Sequence, residues 1–202
     1  MRSSAKLGLT ALTAAMLLAT AVGAASARNL SVSSQNLRAT WSRFELISSL
    51  VTIRCPLTIE GSLHSRTIAK IRGDLIGAVT RVSIKEESCT NGRLQATSLP
   101  WHITYESFTG SLPTSISAIQ LLLARFRFSF ELLGRCEYGT ATDNIVLSSR
   151  LRLLETTSIA PVVGANTINR AEGACSETAT LVGPEGIVTQ LNSSARIRVT
   201  LI

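Results

Sequence analysis

Residues 51–64 alternate without a break: Val51, Ile53, Cys55, Leu57, Ile59, Gly61 and Leu63 share one parity, and Thr52, Arg54, Pro56, Thr58, Glu60, Ser62 and His64 share the other. A helix would scatter these residues around its circumference. An extended chain points successive side chains to opposite faces, so a period of two buries one face and wets the other. A strand is therefore predicted here with Cys55 on the core side. Pro56 lacks a backbone donor, which places the strand at a sheet edge or beside a bulge.

The same pattern recurs along the chain. Ile76, Ala78, Val82 and Ile84 alternate with Gly77, Arg81, Ser83 and Lys85, although Val79 interrupts the polar face. Trp101, Ile103 and Tyr105 alternate with His102, Thr104 and Glu106, and Phe126, Phe128, Phe130 and Leu132 oppose Arg125, Arg127, Ser129 and Glu131. Residues 145–153 and 196–201 add two more strands. Asn91-Gly92 is a dipeptide that readily supplies two positive φ angles, and it predicts a hairpin joining strands near 76–89 and 93–99. Residues 65–72 read as a short helical turn or a strand connection, and residues 116–123 as a buried strand or a short helix. About ten short strands separated by turn residues specify an all-β fold, an antiparallel β-sandwich or a closed β-barrel.

The first 27 residues belong to a different pattern. Arg2 and Lys6 precede an uncharged run holding Leu9, Leu12, Met16, Leu17 and Leu18, and Ala25-Ser26-Ala27 offers a small-x-small cleavage site. This is the order of a secretory signal peptide cleaved after Ala27, which leaves 28–202 as a single β-rich extracytoplasmic domain. The run is short and rich in Ala, Thr and Gly, against the roughly 20 strongly apolar residues of a comfortable membrane span. All four cysteines, Cys55, Cys89, Cys136 and Cys175, fall after the leader, and an even count in an exported chain reads as two disulfides. Three connectivities are open; the sequential one, Cys55 with Cys89 and Cys136 with Cys175, closes the shortest loops and ranks first.

The chain holds 20 basic residues, and without Arg2 and Lys6 the remaining 18 face 13 acidic ones, a net charge of +5. Such an excess favours acidic partners without naming one. Arginine stripes at Arg125 and Arg127, Arg150 and Arg152, and Arg196 and Arg198 place two guanidiniums each on one sheet face. Side by side, three such strands would form a surface able to grip phosphate, sulfate or uronate groups. Their ordinary alternative is a solvated strand face paired with Glu131 or Glu155.

Residues for catalysis are sparse. The sequence has no G-x-S-x-G elbow, H-E-x-x-H, phosphate-binding glycine loop or Rossmann fingerprint, and it has only two histidines. His64 and His102 fall on the polar faces of their strands with Glu60 and Glu106. If those strands were neighbours, imidazole and carboxylate could hold a metal or act as acid and base. Without that convergence they are surface histidines. C-x-x-C spacing is missing, so no metal or other cofactor is expected.

The sequence therefore reads as a secreted, non-catalytic binding or structural module of the cell envelope, with an acidic envelope polymer or an anionic membrane surface as partner. Nucleic acid fits poorly with inward aromatics and an export signal. The alternatives are a secreted hydrolase or metal-dependent enzyme using His64 and His102, a small-ligand-binding barrel, and an outer-membrane barrel. The last is weakened because no aromatic residue follows Tyr138, whereas interface girdles recur around a whole membrane barrel.

Overall fold

A computed structural model of the chain describes residues 29–111, 115–131, 134–140, 144–152, 158–184 and 186–202. The expected leader, Leu153 and Glu155 lie outside them, as does Leu132. The described residues form an all-β structure whose only helical element is a 3-10 turn at Glu86–Ser88. The strands are β1 (Asn29–Val32), β2 (Asn36–Ser48), β3 (Thr52–Leu63), β4 (Thr67–Ala69) and β5 (Leu75–Ile84). They continue as β6 (Leu94–Thr97), β7 (Trp101–Ser111), β8 (Ser115–Ala124), β9 (Arg127–Glu131) and β10 (Arg135–Tyr138). The last five are β11 (Asn144–Arg152), β12 (Ser158–Glu172), β13 (Thr178–Gly183), β14 (Ile187–Gln190) and β15 (Val199–Leu201).

Every strand pairing is antiparallel. The larger sheet runs β11-β8-β7-β5-β3-β2-β13-β12-β10-β9-β6, with β14 also on β2, and it curls far enough that β11 is bonded to β12 as well as to β8. A small sheet, β15-β1-β4, is separate from it. β3 follows its alternation closely, with Ile53, Cys55, Leu57, Ile59, Gly61 and Leu63 buried and the residues between them covered less. Pro56 sits within an interior strand, and the bulge alternative holds. The register of β2 against β3 jumps between Trp41 and Phe44 where β2 passes Pro56, so the missing donor falls where the ladder is already interrupted.

Sharp curling needs the backbones of β3 and β5 to approach closely. Gly61 and Gly77 permit it, because a Cβ at Gly61 would lie 2.3 Å from the Ala78 carbonyl oxygen and one at Gly77 2.4 Å from that of Ser62. The register between the two strands also shifts at Glu60 and Gly61. Both ambiguous segments are extended: β4 occupies part of 65–72 and pairs with β1, and β8 covers 116–123.

One expected hairpin is not formed. Asn91 and Gly92 do take positive φ, 62° and 146°, yet β6 pairs with β9 rather than with β5. The reason is the Cys55–Cys89 disulfide together with the Thr90 bridge to Arg54. These hold the end of the β5–β6 connection against β3, so the turn delivers β6 to a different layer. Both disulfides have the sequential pairing, Cys55–Cys89 and Cys136–Cys175. They enter the β6-β9-β10 ribbon from opposite sides, Cys89 just before β6 and Cys136 within β10.

The ribbon fills one half of the apolar interior. Phe126 and Phe128 are buried against Trp101 at centroid distances of 6.3 and 5.2 Å, and Phe128 lies 5.7 Å from Phe44. Trp41 meets Phe44 edge-on at 6.4 Å, and Phe130 stacks on Tyr138. Edge-to-face and offset pairs of this kind add about 0.5–1.5 kcal/mol each beyond area burial.

Two tests follow from this architecture. Replacing Cys136 and Cys175 together by Ser releases a 39-residue separation and is expected to cost about 3–4 kcal/mol by the chain-entropy relation, read as a lowered urea midpoint. Glu45, on β2, is partly desolvated, which pushes its pKa up, but hydrogen bonds from Arg54 and Arg43 outweigh this and hold it below the ordinary carboxylate value. A depressed folded-state pKa stabilises above the unfolded value and loses that contribution as pH falls through the folded one. Because both arginines are largely exposed, Glu45→Gln should destabilise by less than about 1 kcal/mol at neutral pH. Its deficit in urea unfolding should close as pH drops below about 4.

Candidate anion-binding pocket

Two turns and one strand end build a pocket on the surface. β8 and β9 are joined by only Arg125 and Phe126, and Arg125 closes this turn in the left-handed region at φ 59°. Ser98 is left-handed too, at φ 58°, and its hydroxyl donates to the Arg125 carbonyl at 3.1 Å, pinning the two turns together. Positive φ is uncommon for residues with a Cβ, so the paired turns hold the Arg125 backbone in a defined place. Phe126 anchors the same turn by burying its ring completely.

His102 enters from β7. Its neighbours across the ladder are Ala78 on β5 and Ala124 on β8, and these two small side chains leave open space beside the imidazole. The third wall follows β10, where Gly139 turns at φ 104°. A Cβ at Gly139 would stand 2.4 Å from the Phe126 carbonyl oxygen, so only glycine lets the chain pass and bring Thr140 to the rim. The resulting pocket, about 450 Å³, is lined by Ser98, Pro100, His102, Arg125, Phe126, Arg127 and Thr140.

Its two arginines differ electrostatically. Arg127 contacts the Glu137 carboxylate at 3.4 Å, and Glu137 also accepts from Arg135 at 2.5 Å. The side chain of Glu137 is only 8% exposed, so this buried carboxylate offsets part of the charge of Arg127. Arg125 is exposed and has no ion pair among the described residues. An anion entering the pocket would meet the Arg125 guanidinium, unpaired among the described residues, the shared guanidinium of Arg127 and the His102 imidazole. A neighbouring groove of about 400 Å³ beside Arg93 and Arg135 also contains Glu131, which opposes anion binding there.

The other arginine stripes do not join this pocket. Arg150 and Arg152 lie on β11, between β8 and β12, with Arg150 opposite Ala118. That register is six residues along β8 from Ala124, roughly 20 Å at ordinary strand rise. Arg196 and Arg198 precede β15, whose neighbour is β1, and both are exposed. No stripe-bearing strand neighbours another, so the three pairs do not merge into one basic sheet face.

The two histidines are likewise apart. β5 lies between β3 and β7, which separates the strand of His102 from that leading to His64 by two ladder spacings, roughly 10 Å. His64 is exposed just past the end of β3, where its N–H donates to Ile76. Both associated carboxylates are engaged by arginines: Glu60 by Arg38 at 2.8 Å and Arg81 at 3.6 Å, and Glu106 by Arg72. Among the described residues no group of three or more His, Cys, Asp or Glu gathers as for a metal ion.

Sequence spacing singled out Arg125, Arg127 and His102 but not their convergence. Ser98 and Thr140 were not legible as partners, because the pocket depends on the register of β7 against β8 and on the two left-handed turns. No protein-family model matches the chain, and no curated protein or solved structure shows significant similarity to it.

Proposed function

We propose that the protein is an extracytoplasmic, non-catalytic β domain that binds an anionic group of an acidic envelope glycopolymer in the pocket between Arg125, Arg127 and His102. The observation that carries this reading is the exposed Arg125 guanidinium without an ion-pair partner among the described residues, beside a second arginine in a concave site. Planar guanidinium matches sulfate, phosphate or uronate oxygens in bidentate fashion. A discrete pocket suits a single anionic group on a polymer. A membrane surface is better served by a broad basic face, which the scattered arginine stripes do not form.

The two disulfides are consistent with an extracytoplasmic setting, and no helix among the described residues is long and apolar enough to cross a membrane. We read the curled sheet as a closed barrel rather than a sandwich. Successive pairings of β11, β8, β7, β5, β3, β2, β13 and β12 lead back to β11, and this circuit supports closure. The outward residues of β3 include Arg54, Thr58, Glu60 and Ser62, while its inward residues are apolar or glycine. That polarity favours water outside the sheet, the reverse of an outer-membrane barrel.

The test is salt elution of the oxidised protein from an immobilised polyuronate and from a sulfated polysaccharide. Arg125→Ser combined with Arg127→Ser is expected to weaken binding at least tenfold, as loss of charge-assisted hydrogen bonds worth about 1.5–3 kcal/mol requires; the double variant also takes one of two arginine partners from the buried Glu137 and lowers the urea midpoint, whereas Arg125→Ser alone should weaken binding with little change in it. Glu137→Gln releases Arg127 from its carboxylate and should raise retention. Unchanged elution of the double variant would remove the reading, and tighter binding to anionic vesicles than to either polymer would transfer it to a membrane partner.

A further inference from the structure

The outward face of β9 joins the anion pocket to the groove beside it. Arg127, Ser129 and Glu131 share one parity, opposite the buried Phe128 and Phe130. Arg127 lines the pocket, while Ser129 and Glu131 line the groove. Arg127 and Ser129 are two residues apart, roughly 7 Å at ordinary strand rise, and the face reaches roughly 13 Å from Arg127 to Glu131. β6 flanks it on one side with Gln95 opposite Ser129, and β10 on the other with Glu137 opposite Ser129 and Arg135 opposite Glu131. Gln95 is exposed, and β6 is the last strand of the ribbon. Ser129 and Glu137 are buried at the centre of the strip, and Glu137 holds one arginine of each cavity, Arg127 and Arg135. The two cavities thus share one floor.

Resting on anion binding at Arg125, we propose that this strip is an extended glycan site. The groove takes a neutral, hydroxyl-rich sugar adjoining the anionic group held in the pocket, so the preferred polymer carries charge on alternate sugars rather than on every one. Groove chemistry sets the class. Arg93 and Arg135 donate, Glu131 accepts, and Gln95 and Ser129 do both, which suits sugar hydroxyls that themselves donate and accept. Each arginine already has a carboxylate partner, Arg135 in Glu137 and Arg93 in Glu86 at 3.9 Å. Glu131 faces Arg135 across the ladder, yet Arg135 turns to Glu137 and leaves Glu131 without an ion pair among the described residues. That carboxylate accepts from hydroxyls but repels a second anion, so a polymer charged at every sugar sets like charge against it. The interior offers such a polymer nothing: an apolar cavity of about 80 Å³ lies under the small β15-β1-β4 sheet, which caps it, and no charged side chain lines its wall.

The test is an NMR titration of the oxidised, isotope-labelled protein with glucuronic acid, with a hyaluronan tetrasaccharide, in which glucuronic acid alternates with N-acetylglucosamine, and with tetragalacturonate, charged at every sugar. Glucuronic acid should shift the backbone amides of Arg125 and Arg127, and the hyaluronan tetrasaccharide those of Gln95 and Ser129 as well. Its affinity is expected to exceed that of tetragalacturonate about fivefold or more. Gln95→Ala, at an exposed position, should lower that affinity about two- to tenfold, the loss of one hydrogen bond, and leave glucuronic acid binding unchanged. Glu131→Gln removes the repulsion and should raise tetragalacturonate affinity toward that for hyaluronan. Silent Gln95 and Ser129 amides, or equal affinities for the two tetrasaccharides, would overturn the sugar subsite while the anion pocket stands, provided Arg125→Ser still weakens every probe. Arg125→Ser without effect on any probe would remove the anion reading itself, and the extended site with it.

Discussion

Contact between Phe128 and the rings of Trp101 and Phe44 is the interaction on which the rest of the structure depends. β9 contributes Phe128 from a ribbon that continues the large sheet past β12, so the ribbon is held by aromatic packing and its edge pairing with β12. Phe126, Phe128 and Leu94 bury ring and aliphatic surface from this ribbon, at roughly 25 cal/mol per Å² removed from water. The disulfides act on the same interface. By tying Cys89 to β3 and Cys136 to the end of β12, they restrict the unfolded positions of a segment whose native contacts are distant in sequence.

That packing also divides the molecule chemically. Phe126 is both a core ring and the second residue of the turn that carries Arg125, so the force that fills the interior also positions the guanidinium at the surface. On the far side of the aromatic layer the interior is incompletely filled, and the cap sheet shelters what remains. The same β7 serves both regions: His102 lines the surface pocket beside Arg125, while Tyr105, three residues on and of opposite parity, lines the cavity. Period-two geometry alone accounts for one strand addressing two environments.

Legibility differed from element to element for physical reasons. The β3 strand and the inward rings of β7 and β9 were readable because burial on one face imposes a strict alternation that few other structures produce. The disulfide pairing was ranked correctly by loop length alone. The Asn91-Gly92 hairpin failed because turn chemistry specifies a reversal but not the strand that receives it; the Cys55–Cys89 bond and the Thr90–Arg54 bridge redirected β6 to β9. Ser98 and Thr140 carried no signal, since a single hydroxyl acquires meaning only from what lies across the ladder.

The sequence by itself determined the all-β class, the face that each clear strand buries and the identity of the pocket's charged residues, because these follow from local periodicity and side-chain chemistry. Tertiary structure alone decided which strands are neighbours. It separated His64 from His102 by inserting β5 between their strands, dispersed the arginine stripes, drew Arg125, Arg127 and His102 to one pocket, and left an apolar void beneath the small sheet. Strand order and register arise from long-range pairings whose energies are shared among many weak contacts, and no local stretch of chain encodes them.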